Sequence, residues 1–287
     1  MRVIVGATQD PYVIGLSAAL TAMGLNISMW FANKAAYDMF AEAKPDYVIL
    51  SRHHMTTEII EAVQEFKPKV IIYGVSVPPV LEEYTALVLI PDTVPKVVAD
   101  NIDNKMILHK AANFAQFRRG NFAKTMACDV GHISMYDEGP TPEIIRQLGG
   151  MVPLLPYQFK VCGPTRIPCH NYLGTIQPNE IMPFLRSTKV YIDYNNTLML
   201  DCAANKIFTI CNNVNPLFPS FSDDTELAKL LSDFVDNEKA RRNICKKAYK
   251  KVINEHTYFH RVMEMAELLG ETEWVDLANQ TYRQMRD

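Results

Sequence analysis

FKVCGPTRIPCHNYLGTIQPNEIMPFLRSTKVYIDYNNTLMLDCAANKIFTICNN, residues 159–213, is the stretch on which the fold turns. It reads as strand, loop, short helix, strand, tight turn, helix, strand. The apolar run Lys189-Val-Tyr-Ile-Asp193 meets the polar turn Tyr194-Asn-Asn-Thr197. A helix opens at Leu198, carries the acid Asp201 in its first turn and closes before Lys206. A second apolar run, Ile207-Phe-Thr-Ile-Cys211, follows. A strand that delivers the chain to a small polar turn, and a helix N-terminus beyond it, make half of a doubly wound nucleotide site. The unbonded N–H groups of a first helical turn attract an anion.

The rest of the second half has the same alternation. A strand is expected within 126–136, with His132 near its end, and another at 157–163. Between them Thr141 reads as an N-cap with Pro142 at the first helical position, and that helix runs to Gly149-Gly150. The loop 164–172 carries Arg166, His170 and Tyr172, and a short helix spans 178–185. Asp223 and Asp224 open a helix to 235. The helix at 238–256 is crowded with lysine and arginine, at the spacing of a solvated face. Two more helices occupy 258–269 and 273–286.

The first half begins with a strand at 2–5 and a helix at 12–23. Further strands are expected near 26–31, 47–51, 70–74, 86–90 and 106–110, with helices between several of them. This alternation predicts a parallel sheet covered on both faces, with functional loops at the carboxyl ends of its strands. Those loops carry Thr8, Gln9 and Asp10, then Arg52, His53 and His54, then Ser76 and Asp92. No GxGxxG follows the first strand, which argues against an NAD enzyme. Asp10, before Pro11, is either an N-cap or a catalytic base, and it can be both only if its carboxylate is free of the cap. His53 and His54 are the other base candidates, one of the pair pointing inward. The segment 114–124 interleaves aromatics with Arg118, Arg119 and Lys124. It reads as a solvated turn or as a patch touching the phosphates of an anionic acceptor.

At 287 residues the chain is too long for one ordinary domain. The expected division is 1–122 and 123–270, with a last helix, 271–287, crossing back to the first domain. The net charge of −3 provides no global field to recruit nucleic acid or an anionic membrane. Six scattered cysteines without a CxxC read as reduced thiols of a cytoplasmic protein. A strand starting at Arg2 predicts no signal peptide, and no apolar run has the length of a membrane span.

The C-terminal half resembles the C-terminal domain of GT-B glycosyltransferases, most closely the group-1-related branch that includes spore-maturation-type proteins. Gly163 followed by Asn171-Tyr-Leu-Gly174 looks like the family's glycine step, and 180–190 like its short helix entering a strand. Residues 195–204 are similar to its nucleotide-binding helix. The tail His256-Thr-Tyr-x-x-Arg261 resembles its HTYxxR ending. The resemblance covers roughly 130 residues; the first half matches in its alternating pattern.

What the resemblance implies is an α/β protein of GT-B type: two Rossmann-like, doubly wound parallel-sheet domains facing a cleft. The donor, a nucleotide sugar such as a UDP-sugar, would lie in the second domain and the acceptor in the first, without a bound metal or permanent cofactor. Donor-binding roles would fall to His132, Lys160, Gly163, Arg166, Tyr172, Asn195, Asn196, Thr197 and Asp201. The family's basic residue at the helix start is Thr197 here, so the charge facing the diphosphate must come from Lys160, Arg166, Lys189 or the other domain. Small enzymes of this kind resemble those that glycosylate modified pyrimidines in bacteriophage DNA. That makes double-stranded DNA the leading specific acceptor, held by Arg118, Arg119 and Lys124, with saccharide, lipid-linked and protein acceptors open. A nucleotide-sugar 2-epimerase and a silent nucleotide-binding protein share the architecture.

Overall fold

A strand buried on both faces reads as an unbroken apolar run, and Tyr47–Ser51 is buried at every position. The computed structural model describes residues 1–6, 10–30, 35–113, 122–134, 140–169, 171–194 and 198–286. The chain forms two compact units, Met1–Gln116 with His256–Asp287, and Phe117–Glu255.

Among the described residues the first unit holds six strands. They are β1 (Arg2–Gly6), β2 (Asn26–Trp30), β3 (Tyr47–Ser51), β4 (Lys69–Tyr73), β5 (Thr85–Pro91) and β6 (Lys105–Leu108). All pairings are parallel, in the order β2-β1-β3-β4-β5-β6. Helices α1 (Pro11–Ala22), α2 (Ala36–Ala43), α3 (Thr57–Phe66) and the single turn α4 (Lys96–Ala99) connect them. Asp10 and Thr56 start α1 and α3, each side chain accepting from a backbone N–H of the first turn.

The second unit has β7 (Cys128–Ile133), β8 (Phe159–Cys162), β9 (Thr188–Asp193) and β10 (Thr209–Cys211), parallel in the order β10-β9-β7-β8. Its helices are α5 (Pro142–Arg146), α6 (Ile181–Arg186), α7 (Met199–Ala204), α8 (Asp224–Phe234) and α9 (Glu238–Glu255). Thr141 caps α5 as the sequence predicts, but regular helix stops at Arg146 and a π turn, Gln147–Met151, carries the two glycines. Phe184, Leu185, Tyr191 and Cys202 form part of the core beside the sheet.

The final helices α10 (Tyr258–Leu269) and α11 (Thr272–Arg286) belong to the first unit. The expected boundary at 270 therefore moves to 256. Ala112 N–H donates to the His256 carbonyl at 2.7 Å, so the outgoing and returning chains are paired where they pass. The Tyr258 ring lies where a Cβ on Gly15 of α1 would be, 2.0 Å from the nearest ring carbon. Trp274, fully buried, packs edge-on against Tyr47, and Glu271 accepts from Tyr47 and Lys69. Among the described residues no helix is long and apolar enough to cross a membrane.

Candidate functional site

Strand order reverses at β1 in the first sheet and at β7 in the second, and ligands of open parallel sheets bind beyond the carboxyl ends of such strands. In the second unit that edge is built around Gly163. Its φ is +128°, and a Cβ there would stand 2.5 Å from the Ser134 carbonyl oxygen. Only glycine lets the loop after β8 press against the end of β7. The loop then closes on itself. Gly163 N–H donates to the Gly174 carbonyl at 3.0 Å, and the Tyr172 hydroxyl donates to the Gly163 carbonyl at 2.5 Å. Arg166 stands exposed on this loop, without a hydrogen bond or ion pair among the described residues.

Both sides of the turn after β9 are fixed. Asp193 is buried at the strand end, and its Oδ2 accepts from Leu198 N–H at 2.9 Å. Tyr194 donates to Gln147 Oε1 at 2.6 Å, and Gln147 Nε2 donates to Asp224 Oδ1 at 2.9 Å. The Arg146 guanidinium binds the same carboxylate and holds it below the usual range. Asp201 is buried in the first turn of α7, whose six residues make a shorter dipole than the sequence led one to expect. Asn195, Asn196, Thr197 and His170 lie outside the described residues, as do Thr8, Gln9, Arg118 and Arg119.

Four residues of this unit expected at the site are engaged or placed otherwise. His132 is only 2% exposed; its Nδ1 pairs with the Ile192 carbonyl at 2.8 Å, and its ring stacks on Tyr191 and meets Tyr194 edge-on. Burial lowers its pKa to about 4, so it is a neutral core side chain that supports Tyr194. Lys160 donates to the Thr125 carbonyl at 2.9 Å, at the amino end of the sheet. Lys124, exposed in the turn before β7, shares that end, away from the donor loops of its own unit. Lys189 is also there, paired with Asp129 at 2.7 Å. Alternation along a strand fixes which face a side chain takes, and position along it fixes which end; both lysines fall at the start.

In the first unit the carboxylate of Asp10 is not free of the cap. Oδ1 accepts from Tyr12 N–H at 2.9 Å and Oδ2 from the Tyr73 hydroxyl at 2.9 Å. Burial and then Asp10 push the Tyr73 hydroxyl well up, so it stays a donor. The condition for Asp10 as base is not met. His54 is buried, its Nδ1 2.9 Å from Ser51 Oγ, and fills the space a Cβ on Gly6 would need. His53 beside it is exposed.

The structure adds a pair that the sequence reading passed over. His109 Nδ1 lies 3.3 Å from Asp92 Oδ2, with the imidazole 60% exposed. Tyr12 donates to Asp92 Oδ1 at 2.6 Å, and Lys110 N–H donates to Oδ2 at 3.2 Å. The sequence places 106–110 in a strand; β6 ends at Leu108, leaving His109 as the first residue past the sheet. Pro91 pairs with Leu108 in register, so positions 92 and 109 leave adjacent strands side by side. That register was the available signal.

Residues 143–267 match the family model described as Glycosyl transferase-like. No curated protein sequence matches the chain. Among solved structures, a glycosyltransferase from Rickettsia africae has 10% identity and a TM-score of 0.59, over 100% of this chain and 98% of its own. The Anabaena protein Alr3699/HepE in complex with UDP-glucose has 10% identity and a TM-score of 0.58, over 95% and 99%. A Listeria monocytogenes protein described as a UDP-N-acetylglucosamine 2-epimerase has 8% identity and a TM-score of 0.52, over 85% and 90%. The chain thus has the α/β fold of GT-B glycosyltransferases, with parallel sheets in two domains. The region similar to that family model begins in the second unit and runs past its end at Glu255 to residue 267.

Proposed function

We propose that the chain is a glycosyltransferase that moves a sugar, hexose or pentose, from a UDP-sugar to a hydroxyl acceptor. The observation that carries this reading is the family match, which spans β8, β9 and β10 and the loops at their carboxyl ends. Its support from shape is the likeness to a protein solved with UDP-glucose. The second unit holds the donor. With Lys160 and Lys189 engaged at the other end of the sheet, Arg166 supplies the charge facing the diphosphate, as a guanidinium can by two parallel hydrogen bonds. Asn195, Asn196 and Thr197 add neutral donors. Asp201 accepts from a ribose or sugar hydroxyl. Tyr172 acts indirectly, fixing the backbone at Gly163.

The first unit holds the acceptor. An inverting transfer needs a base for the acceptor hydroxyl. His109, oriented by Asp92, suits that task better than Asp10, both of whose oxygens already accept hydrogen bonds. The acceptor class stays at "hydroxyl compound". Two of the three basic residues expected to hold DNA lie outside the described residues, and Lys124 stands at the amino end of its sheet.

The likeness to an epimerase keeps a second reading in view. Incubation with UDP-sugars and no acceptor separates the two. A transferase releases UDP and free sugar slowly as water takes the acceptor's place. Accumulation of an epimerised nucleotide sugar would sink the transferase reading, and no turnover of any donor would leave a silent nucleotide-binding protein.

A further inference from the structure

A cavity of about 760 Å³ lies in the second unit at the end of the sheet opposite its carboxyl edge, within the range of small-molecule sites. Thr188, which starts β9, and Ile207 and Phe208, which precede β10, line it, while α9 forms a second wall. The cavity therefore lies at the amino ends of β9 and β10, and the other end of β9 leads to Tyr194.

Its lining is mostly cationic: it holds Arg186, Lys189, Lys206, Arg241, Arg242 and Lys246, with Glu238 as the acid among the lining residues. Glu238 is taken by Arg242 at 2.6 Å, and Lys189 by Asp129 at 2.7 Å. Arg241 donates to the carbonyls of Phe234 and Val235, neutral partners that leave its charge in place. Lys206 lies over the Tyr249 ring at 4.4 Å. Lys246 makes no ion pair among the described residues. Leu185, Ile207 and Phe208 lie buried behind the cations, and Phe122, 63% exposed, offers an open aromatic surface in the lining. The sequence reads the basic run of α9 as a solvated face, and Arg242 and Lys246 are exposed on it; with Arg241 they also line this recess.

Several like charges beside the exposed Phe122 ring repel one another, and that ring is left wet. Both costs fall when a multiply charged anion with an apolar body enters. Guanidinium forks match phosphate oxygens, and the exposed Phe122 ring suits contact with a ring or short chain. We propose that this cavity is an accessory binding site for an organic phosphate, a phosphate ester carrying an aromatic or apolar group, distinct from the donor edge. The recess has the volume of a discrete small molecule. The inference does not rest on the transferase reading.

The test uses the full chain and 1-naphthyl phosphate as the probe, with binding followed by calorimetry in the presence of excess UDP. The expected result is one site. Its affinity should fall with added salt and drop at least about tenfold in Lys246→Glu, an exposed substitution that leaves the urea midpoint unchanged. 1-Naphthol, which lacks the phosphate, should bind at least about tenfold more weakly. Absence of binding at millimolar probe, equal affinity in Lys246→Glu, displacement by UDP, or equal binding of 1-naphthol would each overturn the assignment.

Discussion

The imidazole of His109 stands 3.3 Å from Asp92 on the neighbouring strand end, and the same carboxylate receives the Tyr12 hydroxyl at 2.6 Å. Asp92 thus has one oxygen committed to holding α1 and the other to orienting an exposed imidazole. If that imidazole takes the acceptor proton, His109→Ala lowers kcat by about 10²-fold or more while UDP affinity is unchanged. Initial rates and calorimetry check it. A variant with full turnover would remove His109 from the chemistry.

Gly163 combines a φ of +128° with a backbone oxygen 2.5 Å from where a Cβ would be. Backbone cannot yield as a flexible side chain can. Gly163→Ala should therefore cost about 2–3 kcal/mol of stability in urea unfolding and loosen the loop that carries Arg166. Gly150, with open space where its Cβ would go and no positive φ, is the control, and Gly150→Ala should cost far less. Equal costs at both positions would contradict the packing described.

His132 ties stability to pH. Its folded pKa, lowered to about 4 by burial, lies below the ordinary value near 6.5. Between those values the unfolded chain binds the proton and the folded chain does not. The stabilisation is complete above about pH 6.5, falls as pH drops toward 4, and amounts to about 3 kcal/mol at most. The urea midpoint should rise from pH 4 to 6.5, and His132→Gln should flatten that slope. An unaltered slope in the variant would assign the pH dependence to other groups.

Trp30 and Trp274 are the only tryptophans of the chain, and both lie in the first unit. Trp fluorescence therefore reports on that unit. Trp274→Ala empties the space against Tyr47 and should cost about 3–5 kcal/mol, read as a lower urea midpoint in Trp30 emission. A shift under about 1 kcal/mol would mean that α11 contributes little to the first unit's core.

Periodicity made both sheets legible. Runs such as Tyr47–Ser51 and residues 190–192 are apolar because both faces are covered, and turn signals on either side mark them as strands. What periodicity does not carry is which end of a strand a polar residue serves. Lys160 and Lys189 read as donor-side cations, yet each stands one residue into its strand and binds a group at the amino end. His109 was hidden by a strand drawn two residues too long. His132 has the right end but the wrong environment, because its ring fills the core between Tyr191 and Tyr194. Gly163 and Tyr172 entered through their resemblance to a family's glycine step, and the contacts they make, to Ser134 and between the two, are long-range and invisible in sequence.

The central claim is that the second unit binds a UDP-sugar with Arg166 facing the diphosphate. Calorimetric titration with UDP, for the native chain and for Arg166→Ala, tests it most directly. The account predicts binding to the native chain and a loss of about tenfold or more in the variant, the worth of a charge-assisted contact to phosphate. Absence of binding at millimolar UDP, or identical affinity for both proteins, would contradict it.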